Sequence, residues 1–470
     1  MGLELEYHSL AEAAESAQRL LDDNWQGTHT LPAKGMYPHA WSWDSAFVAI
    51  GRARYSPERG AEELRNYFRG QWRNGMCPHI VFTDWETDYT PGPQYWETHF
   101  RSDDAPDDVP TSGLIQPPIH ATAAWHVARL WDDEAARTAF LREIYPKLSA
   151  WHDYLYRERD PLGEGLVYIR HPWESGRDNS PVWDQLLRRF DLQAIDIPQY
   201  RRGDGDNWKE AGRPSNAEYD AYMFLAEQAK REGYRERSLQ RVCPFLVQDL
   251  LSNTVLVQAE LDLMEIARAI GEDVDGHQAR ADKTAEAMRR KLWDGHLNTF
   301  LPYDIQQGRR LHSHELGGFT PLFARIPNDE QAAQLVEQIK SEAYSGSCHY
   351  RSFTAAGYSR IESGYQPRNY WRGPLWLNIN WLIYRGLLDY GEHEWLANRL
   401  LRSIYVLPLL SGFREHYNAE NGEGQGAKDF SWSAALFLEE FHSGSFERLG
   451  IDPNAEIGSY QAALELGVEE

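Results

Sequence analysis

The chain has 470 residues, 42% hydrophobic and 25% charged, an ordinary globular balance with enough length for a large core. Its formal net charge of −23 repels nucleic-acid phosphates and anionic membrane surfaces and argues against both as partners. Cys77, Cys243 and Cys348 are widely spaced, form no CxxC pair and no Cys/His zinc pattern, and read as free thiols in a reducing compartment. No metal or other cofactor is expected.

The first residues, Met1-Gly2-Leu3-Glu4-Leu5-Glu6, are acidic and lack the charged start and apolar run of a signal peptide. A cytoplasmic location is the expectation. Helical periodicity then dominates. It predicts helices over 9–24, 117–131, 133–158, 215–232, 245–271, 276–293, 328–342, 373–390, 392–406 and 431–442, with a short one over Ser45–Gly51. Strand signals are few, such as Gly165–Ile169. The long connections fall at about 26–42, 76–116, 160–181, 193–214, 343–372 and 407–430. No composition shift marks a boundary, so 1–470 reads as one domain with insertions near 76–116, 160–214 and 407–430. Alternating helices with long loops suggest a toroid of helical hairpins.

The chain carries 18 Trp and 25 Tyr. Trp41, Trp43, Trp85, Trp96, Trp173, Trp371 and Trp376 fall in Gly-, Pro- and Asp-rich loops, where side chains reach a surface rather than only a core. The densest segment runs Trp173-Glu174-Ser175-Gly176-Arg177-Asp178-Asn179-Ser180-Pro181. Ser180-Pro181 looks like a helix start, so Asp178 reads either as a first-turn acid or as a general acid. The two roles conflict: a helix start favours the carboxylate, whereas a general acid must keep its proton. A second acid, Glu415, lies in Gly412-Phe413-Arg414-Glu415-His416-Tyr417-Asn418, ahead of a glycine-rich run at 421–426 that suits a lid. A surface ion pair is its plainer reading. In Tyr37-Pro38-His39-Ala40-Trp41-Ser42-Trp43-Asp44, the two indoles at i and i+2 would share a face of an extended loop. Asp44 can bond adjacent sugar hydroxyls or cap the next helix. Two carboxylates in one aromatic pocket are what glycoside hydrolysis uses.

These segments resemble glycoside hydrolase family 63, in particular its small bacterial members that hydrolyse mannosylglycerate and glucosylglycerate. The resemblance rests on an ordered set: 37–44, Gly113-Leu114-Ile115-Gln116-Pro117-Pro118, 173–184, Tyr370-Trp371-Arg372-Gly373-Pro374-Leu375-Trp376, Phe413–Asn418 and Phe430-Ser431-Trp432. It implies an all-α (α/α)6 toroid and an inverting mechanism without a metal. By position it implies Asp178 as general acid and Glu415 as general base, with carboxyls about 6.5–9.5 Å apart to admit a water. Trp41, Trp43, Asp44, Gln116, Trp173, Gly176, Trp371 and Trp376 match the sugar pocket, and Tyr37, Tyr89, Arg213 and Tyr370 the glycerate side. The implied substrate is a small α-glucoside or α-mannoside of glycerate. A neutral α-glucosidase or trehalase-like hydrolase, and a non-catalytic sugar-binding protein, are the alternatives. A homo-oligomer is left open.

Overall fold

The computed structural model describes residues 4–194, 196–202, 212–346, 352–391 and 393–466. Twelve helices build its frame: α1 (Leu10–Asn24), α2 (Ser42–Ala53), α3 (Pro57–Tyr67), α4 (His120–Arg129), α5 (Glu134–Glu158), α6 (Leu250–Ile270), α7 (Asp275–Ala287), the 3-10 helix α8 (Leu316–Ala324), α9 (Asp329–Lys340), α10 (Leu377–Leu387), α11 (Glu394–Ser411) and α12 (Ser431–His442). The even-numbered helices touch in the order α2, α4, α6, α8, α10, α12, and α12 closes back on α2. Behind them, α3 packs on α2, α5 on α4 and α6, α7 on α6 and α11 on α10. Helix α9 reaches α8 through the strand Thr299–Phe300, and α1 backs α12. This is the (α/α)6 toroid.

Sequence explains which helix faces inward. Every residue of α2 is buried, as expected of a helix surrounded by others, whereas α1 buries Leu10, Ala13, Ala14, Ala17, Leu20, Leu21 and Asn24 at helical spacing. The inner ring closes tightly because a glycine lies at two crossings. A Cβ on Gly51 would stand 2.2 Å from the Ala435 carbonyl, and one on Gly386 would stand 2.4 Å from that of Leu322.

Several boundaries differ from expectation. Helix α2 starts at Ser42, so Asp44 lies in its first turn and is not an N-cap; Trp41 and Trp43 straddle a strand and a helix rather than an extended loop. Helix α6 starts at Leu250 because Asp249 caps it by accepting from the Ser252 N–H, and Val247–Gln248 is a strand. Of the strand expected over 165–169, only the bridge Ile169–Val247 forms. Helix α11 runs to Ser411 with Pro408 inside it, so the connection begins at Gly412 rather than 407. Helices α3 and α8 are additions to the expected set. Ser180 makes no capping bond to the short 3-10 turn Pro181–Trp183. Cys77 and Cys243 are buried free thiols; Cys348 lies outside the described residues.

Candidate active site

Inner helices present their N-terminal ends to one cavity. Strand β1 (Ala40–Trp41) pairs with β2 (Ile80–Val81) and runs straight into α2. This delivers Trp41, Trp43 and Asp44. Trp376 precedes α10, Phe430 precedes α12, Trp432 is in its first turn, and Gln116 lies just before α4. All fourteen residues expected from the sequence line this cavity. So do His79, Tyr219, Phe430 and Trp432, to which the sequence assigns no site role. Of the loop tryptophans, Trp96 is fully buried and Trp85 partly exposed, and neither lines it. The void measures about 120 Å³, roughly ten water-sized positions, room for one hexose with a short polar appendage.

The walls are rings locked by other rings. Trp371 and Trp376 stack 3.7 Å apart with planes 5° from parallel, and Trp432 meets Trp43 and Trp376 edge-on. Gly176 has φ 68°, and a Cβ there would stand 2.6 Å from the Trp43 ring, so only glycine lets the backbone touch this indole. Tyr89 packs edge-on against Trp41 and His39. Trp173 stacks over His79, whose pKa burial lowers to about 3, so that histidine is neutral.

Asp178 sits in a loop fixed on both sides. Its neighbour Arg177 is buried and bonds Glu315 (2.5 Å), which precedes α8, and Asp249, the cap of α6. Ser180 donates to Glu315 at 2.8 Å. The other neighbour, Asn179, donates to Asn369 (2.9 Å) and accepts from the Trp371 N–H (2.9 Å). The Asp178 carbonyl accepts from the Tyr222 hydroxyl at 2.9 Å. Upstream, Glu174 anchors the same loop. It accepts both arms of the Arg159 fork (2.8 and 2.9 Å), the Arg170 N–H (2.7 Å) and the Ile115 N–H (3.2 Å). Burial would raise its pKa, but Arg159, Arg170 and these bonds outweigh that and hold it near 2.

Glu415 is buried, and the ion pair expected on the surface is instead internal, with Arg213. It lies in β3 (Arg414–Tyr417), which pairs with β4 (Gly424–Lys428) with a register shift between Arg414 and His416. Such an irregularity re-aims a side chain. The glycine-rich run therefore enters a hairpin. Gly426 (φ 68°) leaves room where a Cβ would stand 2.3 Å from Glu415 Oε2. Glu415 accepts from the Tyr37 hydroxyl (2.6 Å), both Arg213 arms (2.6 and 3.1 Å) and the Ala427 N–H (2.9 Å). Burial would raise its pKa; Arg213 first, then His416, Tyr37 and Ala427, more than offset this and keep it below the usual value. Arg213 lies 4.4 Å from the Tyr370 ring centre, so Tyr37, Arg213 and Tyr370 form one cluster. Asp44 is the reverse case: burial first, then the Glu415 charge, raises its pKa well above the usual range. One cavity thus holds a glutamate held below the usual carboxylate range, an aspartate pushed above it, Asp178 and a buried cation between aromatic walls.

Comparison with known proteins agrees with this geometry. The mannosylglycerate hydrolase of Rubrobacter radiotolerans is 42% identical over 423 residues, covering 90% of this chain and 95% of its own. The glucosylglycerate hydrolase of Mycolicibacterium hassiacum is 34% identical over 442 residues, covering 91% and 97%. The crystal structure of the GH63 mannosylglycerate hydrolase from Thermus thermophilus in complex with Tris and D-glycerate superposes with a TM-score of 0.84 at 35% identity, covering 91% of this chain and all of that one. Residues 37–433 match the family described as the mannosylglycerate hydrolase MGH1-like glycoside hydrolase domain, and the chain belongs to that family of glycoside hydrolases, within family 63.

Proposed function

We propose that this enzyme hydrolyses glucosylglycerate or mannosylglycerate to free sugar and glycerate with inversion at the anomeric carbon. The observation that carries the reading is the buried Arg213 at the wall of a tryptophan-lined cavity that also holds Asp178 and Glu415. A chain of net charge −23 needs a local cation to accept a substrate carboxylate, and guanidinium offers the two-pronged fit. Asp178 protonates the glycosidic oxygen as its bond to the anomeric carbon breaks. Glu415, ionised beforehand, takes a proton from the water that bonds to that carbon from the opposite face. Trp41, Trp43, Trp371 and Trp376 hold the sugar faces, and the Asp44 carboxyl faces the sugar hydroxyls. The unpaired thiols Cys77 and Cys243 support a reducing, cytoplasmic setting.

The test is a comparison of kcat/KM for the two glycosylglycerates with methyl α-glucoside, methyl α-mannoside and trehalose. A preference of at least about a hundredfold for one glycosylglycerate, about what one or two added hydrogen bonds between charged groups contribute, is the expected result. Equal or better turnover of a neutral glycoside would overturn the assignment of an anionic aglycone.

A further inference from the structure

Glu415 is too well satisfied to act. A carboxylate offers about four lone-pair sites. Here Oε1 takes Tyr37 and Arg213 Nη1, and Oε2 takes Arg213 Nη2 and the Ala427 N–H. No site is left to receive a proton from water. One pair of these donors has reason to leave. Arg213 Nε is buried with no acceptor among the described residues, and Nη2 spends its other contact on the Met36 sulfur (3.0 Å), a weak acceptor. The Nε–Nη2 edge is a carboxylate-binding fork left without a carboxylate. A carboxylate that takes this edge replaces the Met36 sulfur on the second Nη2 hydrogen and draws on the same guanidinium charge that now holds Glu415, which weakens that pairing.

We propose that Arg213 is a substrate-operated latch on Glu415: closed in the free enzyme, and drawn off by the carboxylate of the aglycone, which frees the lone pair that accepts the proton from water. Tyr37 and Ala427 then keep Glu415 in place. The latch makes specificity a matter of turnover as well as binding, because a neutral glycoside leaves it shut. It rests on the reading of Glu415 as base and of an anionic aglycone, and adds the control of one by the other.

The experiment separates the two carboxylates. The α-glycosyl fluoride of whichever sugar the enzyme releases carries no carboxylate, and D-glycerate is supplied separately. Saturating D-glycerate should raise kcat for the fluoride at least about fivefold, the low end of ordinary coupling between two sites. Arg213→Ala should hydrolyse the fluoride faster than unstimulated wild type and lose the response to glycerate. Should that variant fold poorly, the wild-type pH profiles decide. The acid limb of kcat, which reports the complex, should lie at least about one unit above that of kcat/KM, which reports the free enzyme. If glycerate only inhibits or has no effect, or if the two limbs coincide, while glycosylglycerate turns over normally, the latch is wrong and the substrate reading stands. If neither glycosylglycerate is hydrolysed, the substrate reading fails and takes the latch with it.

Discussion

Two buried glutamates, Glu174 and Glu415, are held in nearly the same way. Each accepts four donors, two per oxygen: one arginine fork plus two others, which are both backbone N–H groups for Glu174 and one N–H and one tyrosine hydroxyl for Glu415. Both are held on the acid side of the usual carboxylate range against the pull of burial. Both arginines also leave Nε without an acceptor among the described residues, so that feature does not separate them. What separates them is the rest of the guanidinium and its position. Arg159 is also paired with Glu236 at 3.0 Å, itself bonded by Arg170, Tyr154 and Tyr168, and none of these residues lines the cavity. Arg213 has only a thioether beside its second carboxylate-binding edge and stands in the cavity wall. The same four bonds therefore hold one carboxylate away from the cavity and the other in its wall, where the proposed role needs it. Saturation and a low pKa do not identify a catalytic carboxylate; access to a ligand does.

The sharpest way to break this comparison is to remove each carboxylate. Glu415→Gln should lower kcat about 10³-fold, within the usual range for a general base, and should also lower the thermal melt, because buried Arg213 loses its carboxylate partner. Asp178→Asn should lower kcat to the same extent. Glu174→Ala leaves Arg159 buried without its fork partner and should cost about 3–5 kcal/mol of stability, read by urea unfolding. A Glu174 variant that is stable but inactive would place it in the chemistry and undo the contrast.

Gly426→Ala tests the frame around Glu415. Its Cβ would collide with Glu415 Oε2 at an unfavourable φ, so turnover should fall about 10²-fold, as expected of a displacement of roughly 1 Å. An unchanged kcat would show that the glutamate has more freedom than the hairpin suggests.

Two smaller effects come from pH, with opposite signs. Glu174 falls from a usual 4.5 to about 2 on folding. The unfolded chain therefore binds more protons in that window, and the stability Glu174 contributes is present above pH 4.5 and lost as pH falls towards 2. Glu174→Gln should flatten that part of the acid-unfolding curve. Asp44 is raised on folding, so the folded chain holds the extra proton and stability declines as pH rises above the usual aspartate value. Asp44→Asn should raise the melting temperature at neutral pH and lower turnover; a lower melting temperature would contradict its burial as a neutral acid.

Much of this is legible in the sequence, and the gaps have physical causes. Helix α1 and the capped start at Ser215 are readable because one face is apolar and the caps are local. Helix α8 is not. All nine residues of Leu316–Ala324 are buried, two are glycine and one is Pro321, so no amphipathic period exists to find. Helix α3 does carry a usable signal in Ser56-Pro57, and α11 extends past the expected end through a proline that the helix contains. Around the site, the aromatic loops point to Trp41, Trp43, Trp371 and Trp376 because the rings cluster with Gly and Pro. Trp432 and Tyr219 sit on helices and look like core. The bonds that fix Asp178 are out of reach of local sequence, because Arg177 meets Asp249 and Glu315 across 72 and 138 residues of chain. Arg213 comes only from the family resemblance, since nothing nearby in sequence announces its partner 202 residues away.

If Asp178 and Glu415 act on opposite faces of one sugar, the stereochemistry of the product must show it. Proton NMR of the first-formed product from α-glucosylglycerate and from α-mannosylglycerate tests this most directly. The β-anomer should appear first from at least one of them, before mutarotation. Initial release of the α-anomer would contradict the assignment, because it would require a covalent intermediate on a carboxylate where the proposal has one that activates water.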